Sequence, residues 1–342
     1  MLFQLILGFS IAYFTSLFIT PVVSKLAFKI GAVDLPNKRK VHQKQMPRLG
    51  GLSIFLGLLI SLLYLKFPFL DYWPIFLSLI IILLLGIMDD IYSLGALVKL
   101  IVQLIAAIIV ILGQLSVDFI YIPFIGTVDL QLSVIPITVI WILGITNSIN
   151  LIDGLDGLAA GISSIVLLFF IIIASLNAQT AILYLCVMLI GGILGFLYHN
   201  FNPAKIFLGD TGSLMLGFLI SVISLLGFYK TVTISSLFVP VIILGLPLFD
   251  TLLAIVRRMR NHQPVMAPDK DHMHHRLLKM GLSHRSSVLV MYLISIIFGI
   301  IGFIFSKTVL WGTITLVVFL VLIVKVINAS ALVTFNTLFK RH

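Results

Sequence analysis

The chain has 342 residues, of which 61% are hydrophobic and only 10% are charged, and its mean hydropathy is +1.22. A soluble globular domain does not have this composition, so the repeated apolar runs predict an all-α polytopic membrane protein. The formal net charge of +10 is expected to lie in basic loops beside membrane lipids, and no nucleic acid is expected as a partner.

Apolar runs close to membrane-spanning length predict about eleven transmembrane helices. The first run is expected to be a helix rather than a signal peptide, because no Lys or Arg precedes Lys25 and the run is too long. Residues 117–133 alternate in hydrophobicity around a glycine, which predicts a small extracytoplasmic hairpin after the fourth helix. The predicted helices cover residues 3–27, 49–65, 73–88, 97–113, 135–148, 158–176, 181–197, 213–228, 236–257, 286–305 and 309–326.

Lys and Arg residues are concentrated in the loops on one side of the predicted membrane, which the positive-inside rule makes the cytoplasmic side. The N-terminus is then outside and the C-terminus is in the cytoplasm. All 8 histidines and most of the aspartates lie on that side as well. We therefore predict one integral membrane domain over residues 1–342, with cytoplasmic active-site loops near residues 28–48, 88–97, 148–158, 198–213 and 258–285.

Two adjacent carboxylates, Asp89 and Asp90, end the third predicted helix. Acids at a helix C-terminus oppose the helix dipole, and two of them beside apolar surface repel each other unless a cation lies near. A functional role is therefore favoured over a merely polar helix end. Lys99, at the start of the next helix, is either a snorkelling lysine or a phosphate-binding cation.

The stretch NSINLIDGLDG, residues 147–157, places two amides and two carboxylates at intervals of three residues. That spacing drifts by about 60° per step around a helix, and glycines interrupt the segment, so one helix face cannot hold all four groups. We expect a helix end that presents Asn147 and Asn150, followed by a tight loop that presents Asp153 and Asp156. Capping of the next helix would account for only one of the aspartates.

Residues 199–213, HNFNPAKIFLGDTGS, lead into the eighth predicted helix. Asp210 is either a capping residue or an oxygen ligand for a hard cation, and its flanking glycines would let a phosphate approach the helix N-terminus. Phe207 is either an interfacial anchor or a flat surface for a base.

Two basic loops complete the predicted polar face. The loop at 257–281 contains four donors, for which a diphosphate or sugar pocket is favoured over a zinc site because no Cys partner lies near. The loop at 33–51, which includes His42, is either an ordinary positive-inside loop or an anion-binding loop. The four donors are His272, His274, His275 and Arg276.

Carboxylates suited to a hard cation, amides and cationic side chains on one face are what phosphoryl transfer with Mg²⁺ requires. The position at the membrane boundary indicates that one substrate is a lipid phosphate. An ion-coupled transporter is the alternative from another class, but it would place acids near mid-span, and only Asp250 lies well inside a predicted helix. An aspartyl protease is disfavoured because Phe207 stands where its motif has glycine.

Four motifs resemble those of the polyprenyl-phosphate N-acetylhexosamine-1-phosphate transferases, in family order and along nearly the whole chain. The HMHH cluster followed by Arg276 is similar to the bacterial UDP-GlcNAc:undecaprenyl-phosphate GlcNAc-1-phosphate transferase branch, which starts teichoic acid or O-antigen assembly. UDP-MurNAc-pentapeptide or another UDP-HexNAc is the alternative donor. The motifs are MDD at 88–90 with Lys99, NxxNxxDGLDGL at 147–158, FLGDTGS at 207–213 and DKDHMHHR at 269–276.

The resemblance implies transfer of GlcNAc-1-phosphate from UDP-GlcNAc to undecaprenyl phosphate, which gives undecaprenyl-diphospho-GlcNAc and UMP. It implies Mg²⁺, with Mn²⁺ as an alternative, held by Asp210. Asp89 and Asp90 would bind or deprotonate the lipid phosphate, and Lys99 would hold a phosphate. The resemblance also suggests a homodimer in the bacterial cytoplasmic (inner) membrane. The remaining predicted site residues, catalytic or substrate-binding, are Asn147, Asn150, Asp153, Asp156, Asn200, Phe207, His272, His274, His275, Arg276 and His42.

Overall fold

The computed structural model describes residues 1–34, 45–116, 119–122, 126–229, 238–264, 272–319 and 321. Seven of the described helices are long and apolar enough to cross a membrane, which confirms the predicted all-α polytopic membrane protein. The exact number of crossings stays a prediction. The helices are α1 (Leu2–Ile30), α2 (Gly50–Tyr64), α3 (Trp73–Tyr92), α4 (Ala96–Leu112), α5 (Val134–Ile152), α6 (Leu158–Leu176), α7 (Thr180–Asn200), α8 (Gly209–Tyr229), α9 (Phe238–Ile243), α10 (Gly245–Arg260), α11 (Met273–Lys279), α12 (His284–Lys307) and α13 (Val309–Phe319).

The described strands are short and form two antiparallel pairs. β1 (Val33–Asp34) pairs with β2 (Met46–Pro47), which brings the entry to α2 back to the end of α1. β3 (Phe119–Ile122) pairs with β4 (Gly126–Asp129) between α4 and α5, so the predicted hairpin is confirmed.

Most of the predicted helices are confirmed with small changes at their ends. The first eight correspond to α1–α8, the tenth to α12, and the eleventh to α13 within the described residues. The ninth, predicted over residues 236–257, is wrong as a single helix, because α9 ends at Ile243 and α10 begins at Gly245. Pro247 explains the break, since proline has no N–H to donate to the Ile243 carbonyl four residues earlier. The short helix α11 was not predicted.

Helix α8 lies at the centre of the bundle and is almost completely buried among α2, α3, α5 and α6. Glycines let neighbouring backbones approach it closely. A Cβ atom on Gly86 of α3 would lie 2.4 Å from the Thr211 Cα atom, and one on Gly51 of α2 would lie 2.2 Å from the Gly212 Cα atom. The first turn of α8 is therefore held directly against the end of α3 and the beginning of α2.

Candidate active site

The first turn of α8 is capped by a side chain from another helix. Asp90 of α3 accepts hydrogen bonds from the backbone N–H groups of Asp210 and Thr211, each at 2.9 Å, and from the Thr211 hydroxyl at 2.6 Å. Gly209 precedes them with a φ of 72°, and a Cβ atom there would lie 2.5 Å from the Asp90 carboxylate. Because both of its buried oxygens are used in this cap, Asp90 joins α3 to α8.

Lys99 of α4 joins the two other carboxylates of this cluster. Its Nζ atom lies 3.1 Å from Asp89 Oδ2 and 2.9 Å from Asp210 Oδ2. The second Asp89 oxygen accepts a hydrogen bond of 2.7 Å from the Leu94 backbone N–H, which fixes the turn between α3 and α4. The structure thus brings Asp89 and Lys99, from consecutive helices, together with Asp210, which lies 111 positions after Lys99 in the chain.

Arg48 is a further cation of the site that the sequence analysis did not single out. Its guanidinium lies 3.4 Å from Asp90 Oδ1, 3.6 Å from Asp210 Oδ1 and 3.8 Å from Asp34 Oδ1. Burial alone would lower the pKa of Arg48, but these carboxylates outweigh burial and raise that pKa above its ordinary value. Nothing in the sequence distinguishes Arg48 from the other basic residues of its loop. The β1–β2 pairing and the hydrogen bond from the Phe207 N–H to the Pro47 carbonyl place it here.

Asp153 ends α5 and faces the same cluster. Burial raises the pKa of its carboxyl to about 8, and the negative charge of Asp210 adds to the rise while Arg48 opposes it. Within the described part of the chain, no group donates a hydrogen bond to the Asp153 side chain. A bound cation would favour the ionised form of this acid, so the Asp153 carboxyl is suited to complete a cation site.

Asp156 and Asn200 hold loops together. Asp156 Oδ2 accepts hydrogen bonds from the Asn202 side-chain amide at 2.9 Å and from the Ala204 backbone N–H at 3.1 Å. Asn200 is buried, accepts a hydrogen bond of 3.0 Å from the Gly157 backbone N–H, and donates one of 2.9 Å to the Ile206 carbonyl. The loop after α5 is therefore tied to the loop before α8. A direct role for either residue in substrate binding stays a prediction.

Asn147 and Asn150 bind neighbouring helices in this conformation. The Asn147 amide donates to Gln103 Oε1 of α4 at 2.7 Å and to the Leu143 carbonyl at 2.8 Å. The Asn150 amide donates to the Ser213 hydroxyl of α8 at 2.8 Å. The two amides therefore fix α5 against α4 and α8, below the end that carries Asp153. Their predicted contact with substrate is untested.

The histidine segment is docked onto the bundle by its first residues. His272 Nδ1 lies 2.8 Å from Asp250 Oδ2 of α10, and the Met273 backbone N–H donates to Asp250 Oδ1 at 2.9 Å. The buried His274 ring packs on Gly154, and burial, followed by the charge of His275, lowers its pKa to about 4. His274 is therefore neutral at pH 7. Neither of its ring nitrogens has a hydrogen-bond partner among the described residues.

Three further predicted site residues lie just before α8 and on α11. Phe207 is half-buried, and its backbone N–H donates to the Pro47 carbonyl at 2.8 Å, which brings it beside the Arg48 segment. His275 and Arg276 are partly exposed on α11, next to His274. His42 lies outside the described residues.

The side chains around Asp210 fit a magnesium ion better than a metal with an all-protein cage. Among the described residues, no three His, Cys, Asp or Glu side chains are grouped closely enough to form such a cage. Mg²⁺ rarely needs one, because it keeps several waters and takes one or two carboxylates together with substrate phosphates. Asp210, Asp89 and Asp153 supply hard oxygen atoms of this kind, and the Asp153 side chain accepts no hydrogen bond from the described residues. Lys99 already shows that the first two converge on a positive charge.

Comparison with known proteins places the chain among membrane transferases. Residues 72–228 match the family model described as glycosyl transferase family 4. A Bacillus subtilis protein named probable undecaprenyl-phosphate N-acetylglucosaminyl 1-phosphate transferase is 48% identical over 326 residues, which cover 95% of this chain and 91% of that protein.

More distant relatives carry related names. The decaprenyl-phosphate N-acetylglucosaminephosphotransferase of Mycobacterium tuberculosis is 36% identical over 81% of this chain and 76% of its own length. The undecaprenyl-phosphate alpha-N-acetylglucosaminyl 1-phosphate transferase of Thermotoga maritima is 32% identical over 84% of this chain and 86% of its own length. The similarity therefore extends well beyond residues 72–228 and includes the histidine segment.

Proposed function

Because the chain belongs to glycosyl transferase family 4 and is a phosphoglycosyl transferase, we propose that it transfers GlcNAc-1-phosphate from UDP-GlcNAc to undecaprenyl phosphate. The products are undecaprenyl-diphospho-GlcNAc and UMP, and the reaction is the first membrane step of a cell-envelope glycopolymer. The site lies on the cytoplasmic face of the bacterial membrane, and Mg²⁺ is required. The names of three relatives from different bacteria support the sugar, since all of them specify N-acetylglucosamine.

The observation that carries the proposal is the lysine that bridges two carboxylates at one end of the bundle. Lys99 lies within 3.1 Å of Asp89 and 2.9 Å of Asp210, so acid and base side chains from α3, α4 and α8 meet at one point. Phosphoryl transfer needs this mixture, because the reacting groups carry negative charge that must be both bound and neutralised. An ion-coupled transporter has no need of such a cluster at the helix ends.

The reaction joins two phosphates and breaks one phosphoanhydride bond. An oxygen of the lipid phosphate attacks the phosphorus that carries the sugar, a new P–O bond forms, and the bond to UMP breaks with its electron pair leaving on UMP. A dianionic lipid phosphate needs no base, whereas a monoanionic one must give up its proton. Asp89 is placed to receive that proton, because its Oδ2 contacts the Lys99 side chain, whereas both Asp90 oxygens are hydrogen-bonded to the first turn of α8.

The cationic residues bind the phosphates. Lys99 can exchange a carboxylate for a phosphate oxygen with little movement, because its Nζ atom already lies between two acids. Arg48, which is 28% exposed and spread across three carboxylates, is suited to bind a phosphate of the nucleotide in the same way. His274 is neutral, so it can donate or accept a hydrogen bond but adds no charge.

Asp210 and Asp153 would hold the Mg²⁺ ion, with Asp89 close enough to take part. The bound ion would supply charge neutralisation at the diphosphate as the bond to UMP breaks. Burial, followed by the negative charge of Asp210, raises the pKa of Asp153, and a cation bound between the two acids would favour the ionised form of both.

The proposal is tested by UMP release from purified protein with undecaprenyl phosphate and a panel of UDP-sugars. We expect lipid-dependent release with UDP-GlcNAc and none after EDTA, with Mg²⁺ restoring it. Release with UDP-MurNAc-pentapeptide or UDP-GalNAc in place of UDP-GlcNAc would keep the chemistry and overturn the proposed donor. Release that does not depend on the lipid would overturn the proposed acceptor.

A further inference from the structure

Asp250 is a buried acid that the proposed chemistry does not use. It lies in α10, is only 3% exposed, and is separated by 22 residues from its partner His272, which is 4% exposed. One carboxylate oxygen contacts His272 Nδ1 at 2.8 Å, and the other accepts the Met273 backbone N–H at 2.9 Å. From the sequence, this acid was the one feature that favoured a transporter, because it is the aspartate deepest within a predicted helix.

The contacts of Asp250 secure a helix that could not form alone. Helix α11 has 7 residues, well below the length at which an isolated helix is stable in water. Asp250 satisfies one of the free N–H groups at its beginning, as a capping side chain would. His274, one turn further along the segment, packs against Gly154 in the loop that follows Asp153. Asp250 therefore connects α10, through the histidine segment, to the loop that carries a site carboxylate.

Asp250 also determines which nitrogen of His272 carries a hydrogen. An ionised carboxylate can only accept, so the hydrogen bond to Asp250 requires a hydrogen on Nδ1 of His272. In the neutral ring, Nε2 is then the acceptor. The His272 and His274 rings lie nearly parallel, with centroids 5.9 Å apart, so the ring that Asp250 holds is a direct neighbour of the ring that packs on Gly154.

We propose that Asp250 is a positioning residue for the nucleotide-sugar half of the reaction, holding His272 in one tautomer and docking residues 272–276 beside Asp153. The inference rests on the proposed function, since it assigns this segment to the UDP-sugar. It predicts that the loss of Asp250 weakens binding of the donor substrate and leaves binding of the lipid substrate unchanged. The residues assigned to the lipid phosphate, Asp89 and Lys99, belong to α3 and α4 rather than to the histidine segment.

The test compares Asp250→Asn with Asp71→Asn. Asp71 is an exposed acid just before α3, about 30 Å along that helix from Asp89, so the same substitution there controls for loss of charge. In Asp250→Asn the side-chain oxygen can still accept from Met273, but the amide places a donor opposite His272 Nδ1. The docking of α11 should survive while the tautomer of His272 changes.

For Asp250→Asn we expect the KM for UDP-GlcNAc and the Kd for UDP, measured by calorimetry with Mg²⁺, to rise about 10- to 100-fold. The KM for undecaprenyl phosphate should stay within about twofold of the Asp71→Asn value. His272→Gln should reproduce this pattern, and the double variant should lose no more than either single one, because both remove the same pair.

The possible results separate this inference from the proposed function. Donor KM and UDP affinity equal to those of Asp71→Asn would overturn the role of Asp250, as would an equal loss for donor and lipid. If Asp250→Asn does not fold, His272→Gln decides, and a normal donor KM there overturns the inference. A wild-type protein that neither binds UDP nor releases UMP would overturn the proposed function itself.

Discussion

At the scale of single residues, the neighbouring aspartates at the end of α3 have different surroundings. Asp90 makes three hydrogen bonds to the first turn of α8 and has a fully buried side chain. Asp89 contacts Lys99 and the Leu94 N–H, at the border of the site. The sequence places the two acids side by side and gives no reason to separate their roles. The hydrogen bonds of Asp90 make it a structural cap of α8, and we propose that Asp89 is the acid that meets the substrate.

We therefore expect Asp89→Asn and Asp90→Asn to fail in different ways. Asp89→Asn should lower kcat by at least about 100-fold, the usual effect of losing a group that moves a proton, with little change in stability. Asp90→Asn should reduce the free energy of unfolding by about 1–3 kcal/mol, because part of a buried cap is lost. UMP release and thermal unfolding in detergent measure the two effects. A lower unfolding midpoint for Asp89→Asn than for Asp90→Asn would contradict the assignment.

Other site residues show what sequence patterns can and cannot reveal at this scale. The motifs identified Asp89, Lys99, Asp153 and Asp210 as one cluster, because acids and a lysine are unexpected at the ends of apolar helices. Arg48 was missed, since it is one basic residue of a basic loop, and long-range backbone pairing with β1 and with Phe207 brings it to Asp210.

The asparagines differ from Arg48, because their polarity led to their prediction as site residues, yet their hydrogen bonds are made within the helix bundle. Asn147 pairs with Gln103, and Asn200 bonds two backbone groups. In an apolar environment a polar side chain must find a partner somewhere, whether or not it contacts substrate. A sequence alone cannot tell these two reasons apart.

At the scale of elements, the site depends on how closely α3 approaches α8. Gly86 is the point of contact, since a Cβ atom there would lie 2.4 Å from the Thr211 Cα atom and 2.6 Å from its N atom. These are backbone atoms, which cannot turn aside as a flexible side chain can. Widening this crossing would pull Asp90 away from the N–H groups that it caps and would move Asp210 relative to Lys99.

Gly86→Ala should therefore destabilise the protein by about 1–3 kcal/mol and reduce UMP release strongly, because the added methyl group overpacks the crossing. Gly144→Ala is the matched control, since a Cβ atom on this glycine of α5 meets nothing within 4 Å. That substitution should leave activity unchanged and add about 0.5–1 kcal/mol of stability. Thermal unfolding and UMP release of both variants check this. Equal unfolding midpoints and equal release for the two would show that the site does not depend on the close approach of α3 to α8.

Helix positions were largely predictable from hydrophobic runs, because a membrane span must be apolar over its full length. Two errors remained, and both occur where backbone chemistry outweighs hydropathy. The run at 236–257 is mostly apolar before Arg257, with Asp250 inside it, yet Pro247 divides it into α9 and α10. Helix α11 is too short and too polar to produce a hydrophobic signal, and it forms because Asp250 and the Gly154 loop hold it.

At the scale of the whole molecule, the acids and cations of the site all come from the same end of the helix bundle. Asp89 is near the end of α3, Asp153 follows α5, Lys99 begins α4 and Asp210 begins α8, as expected if successive helices cross in opposite directions. The excess of Lys and Arg in the loops at this end predicts that it faces the cytoplasm. UDP-sugars are cytoplasmic, so this orientation is a requirement of the proposed function.

The orientation can be checked with single cysteines, because the one native cysteine, Cys186, is buried and can be replaced by alanine. Lys205→Cys, in the loop before α8, should react with a membrane-impermeant maleimide only after the cells are permeabilised. Lys66→Cys, after α2, should react in intact cells; both lysines are exposed. The reverse labelling pattern would place the site outside and exclude a cytoplasmic sugar nucleotide.

The most direct test of the central claim is lipid-dependent UMP release by Asp210→Asn, measured beside Asp71→Asn at matched levels of folded protein. Asp210 binds Lys99 and Arg48 and is the proposed ligand of Mg²⁺, whereas Asp71 lies at the other end of α3. The account predicts at least about a 100-fold loss of release for Asp210→Asn, as for other groups that act on the transition state, and wild-type release for Asp71→Asn. Wild-type release by Asp210→Asn would contradict the assignment of this cluster as the catalytic site.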